Sequence, residues 1–120
     1  APYTLESCTG AYGDSALAEG FGLGAMALSY CSDMQALHTG FYDNEIYDLP
    51  DTLLMAVHPG LPKSGARAGL SARAVVDSGK IPLVELGLVE KMGVAGGLGA
   101  GLYQPPLAPF AEACTALDTG

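Results

Sequence analysis

The chain has 120 residues and a formal net charge of −8 at pH 7, with 49% hydrophobic and only 15% charged residues. A chain of this length and apolar content supports one domain over residues 1–120 and argues against intrinsic disorder. The acidic balance excludes nucleic acid as a partner, because neutralising phosphates requires clustered cations. Glycine occurs 17 times and tryptophan is absent, so close backbone contacts or ordering by a neighbouring chain are expected.

The charged residues are segregated along the sequence. Residues 1–62 contain eight acids and no Lys or Arg, and all five cations follow in the next stretch: Lys63, Arg67, Arg73, Lys80 and Lys91. A separation of acidic from basic residues along the chain is informative about binding partners and orientation, not about the fold. We predict that the basic stretch faces an acidic partner or lipid headgroups, with Lys63, Arg67 and Arg73 as binding residues.

The first predicted element is a helix over residues 16–38. Asp14 and Ser15 are suitable N-cap residues, and Thr39-Gly40 provides a stop signal. An acidic connector over 41–51 follows.

A short second helix is predicted from the prolines around residue 50. It begins near Asp48, contains Pro50 in its first turn and ends before Pro59. The basic segment then allows two interpretations. A helix starting at Ser64 or Ser71 would end at Ser78-Gly79. The alternative is a strand over 74–76, paired with a strand over 83–86.

The longest apolar stretch covers residues 81–103, and a terminal helix over 109–117 follows it. Within this stretch Gly93, Gly97 and Gly101 recur every four residues, so a helix would place them on one face for close contact with a partner. A Gly-rich loop without a helix is the alternative. The stretch is long enough to span a bilayer, but its internal charges favour a span only if a larger membrane assembly shields it.

Candidate residues for chemistry are few. His38 and His58 are the only imidazoles, and each fits a helix end, where a solvated or capping role is commonest. As ligands they could hold a metal or a chlorophyll magnesium. No catalytic motif and no metal-ligand spacing is present. The three cysteines form either one disulfide with a free thiol or three small buried side chains: Cys8, Cys31 and Cys114.

Several segments carry a family resemblance, and they cover about half of the chain. They are Thr52-Leu53-Leu54-Met55, Gly60-Leu61-Pro62, Ser64, Arg67-Ala68-Gly69-Leu70, Asp77-Ser78-Gly79 and the glycine-rich run over 92–102. The first five resemble the basic loop of photosystem I small subunits of the PsaG/PsaK family, and the last is similar to that family's second helix. The resemblance implies two membrane helices joined by a basic stromal loop, a thylakoid location and chlorophyll as a cofactor.

The sequence therefore predicts a mainly α fold with few helices, long irregular Gly/Pro-rich connections and a membrane-embedded or membrane-associated position. The favoured function is a non-catalytic structural subunit that contacts other proteins of a larger, photosynthetic complex. One alternative is a small soluble or secreted domain that binds a ligand or partner. Another is one chain of a multi-chain or processed enzyme.

Overall fold

The computed structural model describes residues 4–13, 16–38, 40 and 42–119. These ranges contain both strands and helices. The strands are β1 (Cys8–Tyr12), β2 (Leu54–Val57), β3 (Arg67–Leu70), β4 (Val84–Glu90) and β5 (Gly97–Tyr103). The α-helices are α1 (Ala16–Phe21), α2 (Ser32–His38), α3 (Leu49–Leu53), α4 (Ala72–Ser78) and α5 (Ala108–Thr119). The 3-10 helices are Leu5–Ser7, Ala25–Tyr30 and Asn44–Asp48.

The strands form two antiparallel sheets. The larger sheet has the order β1-β4-β5, so the strand that begins the described chain pairs with one from its second half. Cys8 lies opposite Glu90 in this pairing. β4 and β5 form a hairpin, and β2 pairs with β3 in the smaller sheet.

The prediction of a mainly α, membrane-embedded fold is wrong. The chain has a mixed α/β architecture, and its longest described helix, α5, has 12 residues, whereas a membrane span requires about 20. Across the described ranges, no helix combines the length and apolar character needed to cross a bilayer.

The single helix predicted over residues 16–38 is wrong because glycines interrupt it. The chain forms α1, then the 3-10 helix Ala25–Tyr30, then α2. Gly22 adopts a left-handed φ of +91°, which ends α1. The predicted caps Asp14 and Ser15, and the stop residue Thr39, lie outside the described residues.

The turn after α1 is held by the carboxylate of Glu19. Its Oε2 accepts a hydrogen bond from the backbone N–H of Ala25 at 2.9 Å, and its Oε1 accepts one from the N–H of Glu85 in β4 at 3.1 Å. Gly24 lies directly against this carboxylate, and a Cβ at position 24 would overlap it. The arrangement connects the helical part of the chain to the larger sheet.

Two local predictions from capping signals are confirmed. The Ser71 hydroxyl accepts a hydrogen bond from the N–H of Ala74 at 3.2 Å and begins α4, and Gly79 ends it with a left-handed φ of 68°. The alternative strand over 74–76 is wrong. Pro50 lies in the first turn of α3 as expected, but the predicted helix stops at Leu53, and residues 54–57 form β2.

The helix predicted to carry Gly93, Gly97 and Gly101 on one face is also wrong. Residues 84–103 form the β4–β5 hairpin, with Gly93 in its turn at a φ of 73° and the other two glycines in β5. Glycine disfavours a helix by about 1 kcal/mol relative to alanine, and among the described residues no atom lies within 4 Å of a Cβ built at these three positions, so no close packing offsets that cost. The terminal helix is confirmed as α5.

The hydrophobic core lies where the helices meet β2 and β4. Its buried members are Ala25, Met26, Leu28, Leu49, Leu53, Leu54, Val75 and Leu83. All three cysteines are free, and only Cys114 is buried.

The most buried leucine provides a test of this core. Leu53 is 0% exposed, and replacing it with alanine leaves a cavity that we expect to cost about 2–5 kcal/mol of unfolding free energy. The matched control is Leu117→Ala, since Leu117 is 78% exposed and should change stability by no more than about 0.5 kcal/mol. Urea denaturation of both variants measures the difference, and equal effects would contradict the described core.

Candidate functional site

A buried histidine lies beside a carboxylate of the central strand of the larger sheet. His38, at the end of α2, is 5% exposed, and its Nε2 is 3.7 Å from Oε1 of Glu85 on β4. This distance is too long for a hydrogen bond, and within the described part of the chain Nε2 has no hydrogen-bond partner. The imidazole and the carboxylate therefore lie next to each other where α2 meets β4.

Tyr42 extends this group towards β5. Its ring packs against His38 with a centroid separation of 6.0 Å, and its hydroxyl accepts a hydrogen bond from the N–H of Leu102 at 3.0 Å. We call His38, Tyr42 and Glu85 the histidine cluster.

A cleft with a volume of about 1200 Å³ is lined in part by Tyr42. We call it the acidic cleft, because three carboxylates line it against one ammonium group: those of Asp43, Glu45 and Asp48, with Lys80. The Lys80 Nζ is 3.4 Å from the Thr52 hydroxyl. The apolar lining residues are Ile46, Leu49, Ile81, Leu83 and Leu102. Such a lining suits a neutral or cationic group and opposes an anion.

A second cavity of about 700 Å³ lies beside β4. Both Glu19 and Glu85 line it, together with Phe110 of α5. The histidine cluster therefore contributes Tyr42 to one cavity and Glu85 to the other.

His58 has a separate structural environment from that of the histidine cluster. Its Nδ1 accepts a hydrogen bond from the N–H of Gly60 at 3.1 Å, and its ring meets Phe21 edge-on at 5.6 Å. No group of three or more potential metal-ligating side chains occurs within the described ranges. A cofactor role for His38 and His58 stays a prediction.

The three cations predicted to bind a partner differ in what they contact. Arg67 donates to the backbone carbonyl of Leu54 at 2.9 and 3.2 Å and to that of Met55 at 3.2 Å. Arg73 pairs with Asp118 of α5 at 2.6 Å. That hydrogen bond and the positive charge of the Arg73 guanidinium lower the pKa of Asp118. Lys63 lies exposed in the turn before β3. Partner binding by these residues stays a prediction.

The two arginines should differ in their contribution to stability. Arg67→Gln removes hydrogen bonds from a charged donor to two carbonyls, and we expect a loss of about 1.5–3 kcal/mol. Arg73→Gln breaks an ion pair whose side chains are 52% and 61% exposed, so solvent screening makes its effect much smaller. Urea denaturation compares the two, and a larger loss for Arg73→Gln would contradict this assignment.

The tip of the β4–β5 hairpin is organised by one carboxylate. Glu90 accepts hydrogen bonds from the backbone N–H groups of Met92 and Val94, each at 2.9 Å, and these bonds lower the pKa of Glu90. Met92 and Val94 are 78% and 90% exposed. The tip thus presents apolar side chains on a turn that an ionised carboxylate holds together.

This turn should loosen at low pH. Because the pKa of Glu90 is lower in the folded hairpin than in the unfolded chain, ionised Glu90 stabilises the turn above the unfolded value. That contribution is lost as the pH falls through the folded value. NMR titration should give a Glu90 midpoint below 4.5, the ordinary pKa, with the Met92 and Val94 amide shifts following it. In Glu90→Gln those amides should not titrate, and a midpoint above 4.5 would contradict the prediction.

The sequence pointed to His38 but not to its neighbours. Glu85 carried a usable signal, because it interrupts an apolar stretch where a charge requires a partner. Glu19 and Tyr42 carried none, since their contacts with β4 and β5 join segments more than 50 residues apart, as their hydrogen-bond partners show.

Comparison with known proteins places the chain near one characterised enzyme subunit. The chain is 32% identical over 125 aligned residues to the oxamate carbamoyltransferase subunit AllG of Escherichia coli (strain K12), covering 96% of this chain and 29% of that protein. A crystal structure of a conserved protein of unknown function from Enterococcus faecalis V583 superposes with a TM-score of 0.70 at 28% identity. That match covers 99% of this chain and 30% of that one. No family model matches the sequence.

These similarities overturn the photosystem interpretation. The matches run through nearly the whole chain and involve a carbamoyltransferase subunit and a bacterial protein, and neither has a link to PsaG/PsaK, thylakoids or chlorophyll. The segments that resembled that family lie in the β4–β5 hairpin, in β2 and β3, at the ends of α3 and α4 and in the turn between β2 and β3, and a glycine-rich composition recurs in unrelated folds. Of the three functional interpretations, the chain of a multi-chain enzyme agrees best with the matches.

Proposed function

We propose that this chain serves as a non-catalytic assembly element of an AllG-type subunit in a multi-chain carbamoyltransferase. The observation that carries the proposal is the similarity to AllG across 96% of the chain. Because the chain spans only 29% of AllG, the activity of the whole enzyme requires polypeptide beyond the matched part.

Electrostatics argue against substrate binding by this part. Oxamate carries a carboxylate, and the acidic cleft would place it near Asp43, Glu45 and Asp48. Each pair of like charges about 4 Å apart costs from about 1 kcal/mol in water to about 4 kcal/mol near a protein surface. Lys80 supplies one opposing charge, whereas Arg67 and Arg73 are occupied by contacts within the chain.

The surface supports a role in assembly. Large apolar side chains are exposed at the hairpin tip, on β2 and on two helices: Met92, Val94, Met55, Val57, Leu17 and Leu117. Exposed apolar side chains mark a protein contact site only where they lie together. The hairpin tip is the clearest instance, since Met92 and Val94 lie two residues apart.

A chimaera tests the assembly role. In E. coli AllG, the matching segment is replaced by this chain, and the protein is co-expressed with the other subunits of oxamate carbamoyltransferase. We expect the chimaera to co-purify with them, as AllG does, because the replaced segment keeps its fold and contact surfaces. AllG with the segment deleted is the control. Failure of the chimaera to assemble at all would contradict the proposal.

Calorimetry tests the absence of a substrate site. Titrating oxamate into the isolated chain should give no binding with Kd below about 1 mM, an affinity of only about 4 kcal/mol. A saturable signal that disappears when Lys80 is replaced by Gln would show that the acidic cleft binds the substrate, and the non-catalytic assignment would then be wrong.

A further inference from the structure

The outer edge of β5 carries hydrogen-bonding groups without a strand partner. In the sheet order β1-β4-β5, β5 pairs only with β4 among the described strands. The N–H of Leu102 points away from β4, because it donates to the Tyr42 hydroxyl at 3.0 Å. Backbone groups on one edge of a strand recur at every second residue. The N–H and C=O of Ala100 therefore face the same outer edge.

This edge lacks the features that normally prevent strand pairing. β5 contains neither a charged residue nor a proline over its seven residues, Gly97–Tyr103, although such residues are the usual protection of edge strands. A Cβ built at Gly97, Gly99 or Gly101 would meet no atom within 4 Å. Within the described residues, one face of β5 is consequently open at its three glycines, and the Tyr42 side chain occupies the edge only at Leu102.

Tyr42 shows what the edge can accept. Its hydroxyl oxygen stands where the carbonyl oxygen of a neighbouring strand would receive the Leu102 N–H. The side chain of Tyr42, which lies between α2 and α3, thus satisfies the outward N–H of Leu102. The outward N–H of Ala100 has no corresponding contact within the described residues.

We infer that the outer edge of β5 pairs with a β-strand from the polypeptide that makes up the remainder of an AllG-type subunit. The inference rests on the proposed function and names the contact by which this fold is held against the rest of its own subunit, on which the subunit's assembly with its partners would depend. The two similar proteins are more than three times as long as their matched segments, which cover 29% and 30% of their lengths. Both proteins therefore contain polypeptide beyond the matched segment, and an extended segment of it would satisfy the outward backbone groups of β5.

A second copy of this chain is a poorer occupant of the same edge. Tyr42 and Leu102 line the acidic cleft together with Asp43, Glu45 and Asp48. Pairing β5 with β5 would bring two such clefts, from two chains of net charge −8, close together, and like charges at an interface oppose association. The negative charge of the acidic cleft favours a pairing strand that carries Lys or Arg where it faces this cleft.

Two substitutions at one residue test the pairing. Ala100→Pro removes the outward N–H and adds a ring at the edge, but breaks no bond to β4, so the isolated chain should keep its urea midpoint. Ala100→Val keeps the N–H and favours a strand. In the AllG chimaera, Ala100→Pro should reduce recovery of the assembled complex about tenfold or more, and Ala100→Val should match the parent.

Amide hydrogen exchange supplies a second measurement that needs no variant. The peptide covering residues 97–103 should exchange slowly in the unsubstituted chimaera and quickly at its outward amides in the isolated chain. If the chimaera assembles with β5 unprotected, or if Ala100→Pro assembles normally, the inference is wrong and the proposed function stands. If the unsubstituted chimaera does not assemble, both are wrong. A dimer of the isolated chain that Ala100→Pro dissociates would make a second copy the occupant and would also overturn the inference.

Discussion

The arrangement of this fold depends on one carboxylate that satisfies two distant backbone donors. Glu19 receives hydrogen bonds from Ala25, at the start of a 3-10 helix, and from Glu85, in the middle of the larger sheet. Charged acceptors form stronger hydrogen bonds than neutral ones. This contact fixes the helical segment over 16–38 on β4. As a result the side chain of Glu85 lies opposite His38 at the end of α2.

Capping residues in the sequence predicted those helix ends that depend only on interactions within a few residues. Ser71 and Gly79 define α4 because a hydroxyl cap and a left-handed glycine act within a few residues of the helix they limit. Gly22 was visible in the sequence, but its positive φ, which breaks the predicted first helix, depends on the packing of Leu54 beside it. The pairing of β1 with β4 joins segments about 80 residues apart. The sequence of neither segment predicts this pairing.

The glycine-rich stretch shows how spacing alone can mislead. Glycines at 93, 97 and 101 fit a helical face, and glycines at 97, 99 and 101 fit a strand face equally well. Propensity argues only against the first arrangement, because several glycines weaken an unsupported helix, and glycine does not favour a strand either. The candidate site likewise combines a residue that stands out in the sequence with neighbours that do not. His38 was identifiable as a scarce imidazole, whereas its importance comes from Glu85 and Tyr42, which only the tertiary structure brings near it.

The contact between Glu19 and Gly24 also bears on how the sequence can vary. No side chain fits at position 24 while the carboxylate of Glu19 occupies that space. At position 19, no residue type other than glutamate combines a side chain of this length with two acceptor oxygens for the N–H groups of Ala25 and Glu85. A change at position 24 alone is therefore expected to displace the Glu19 carboxylate from its two donors, whereas a shorter residue at 19 would release the steric constraint on 24. Substitutions at the two positions are consequently expected to be tolerated better together than a side chain at position 24 alone.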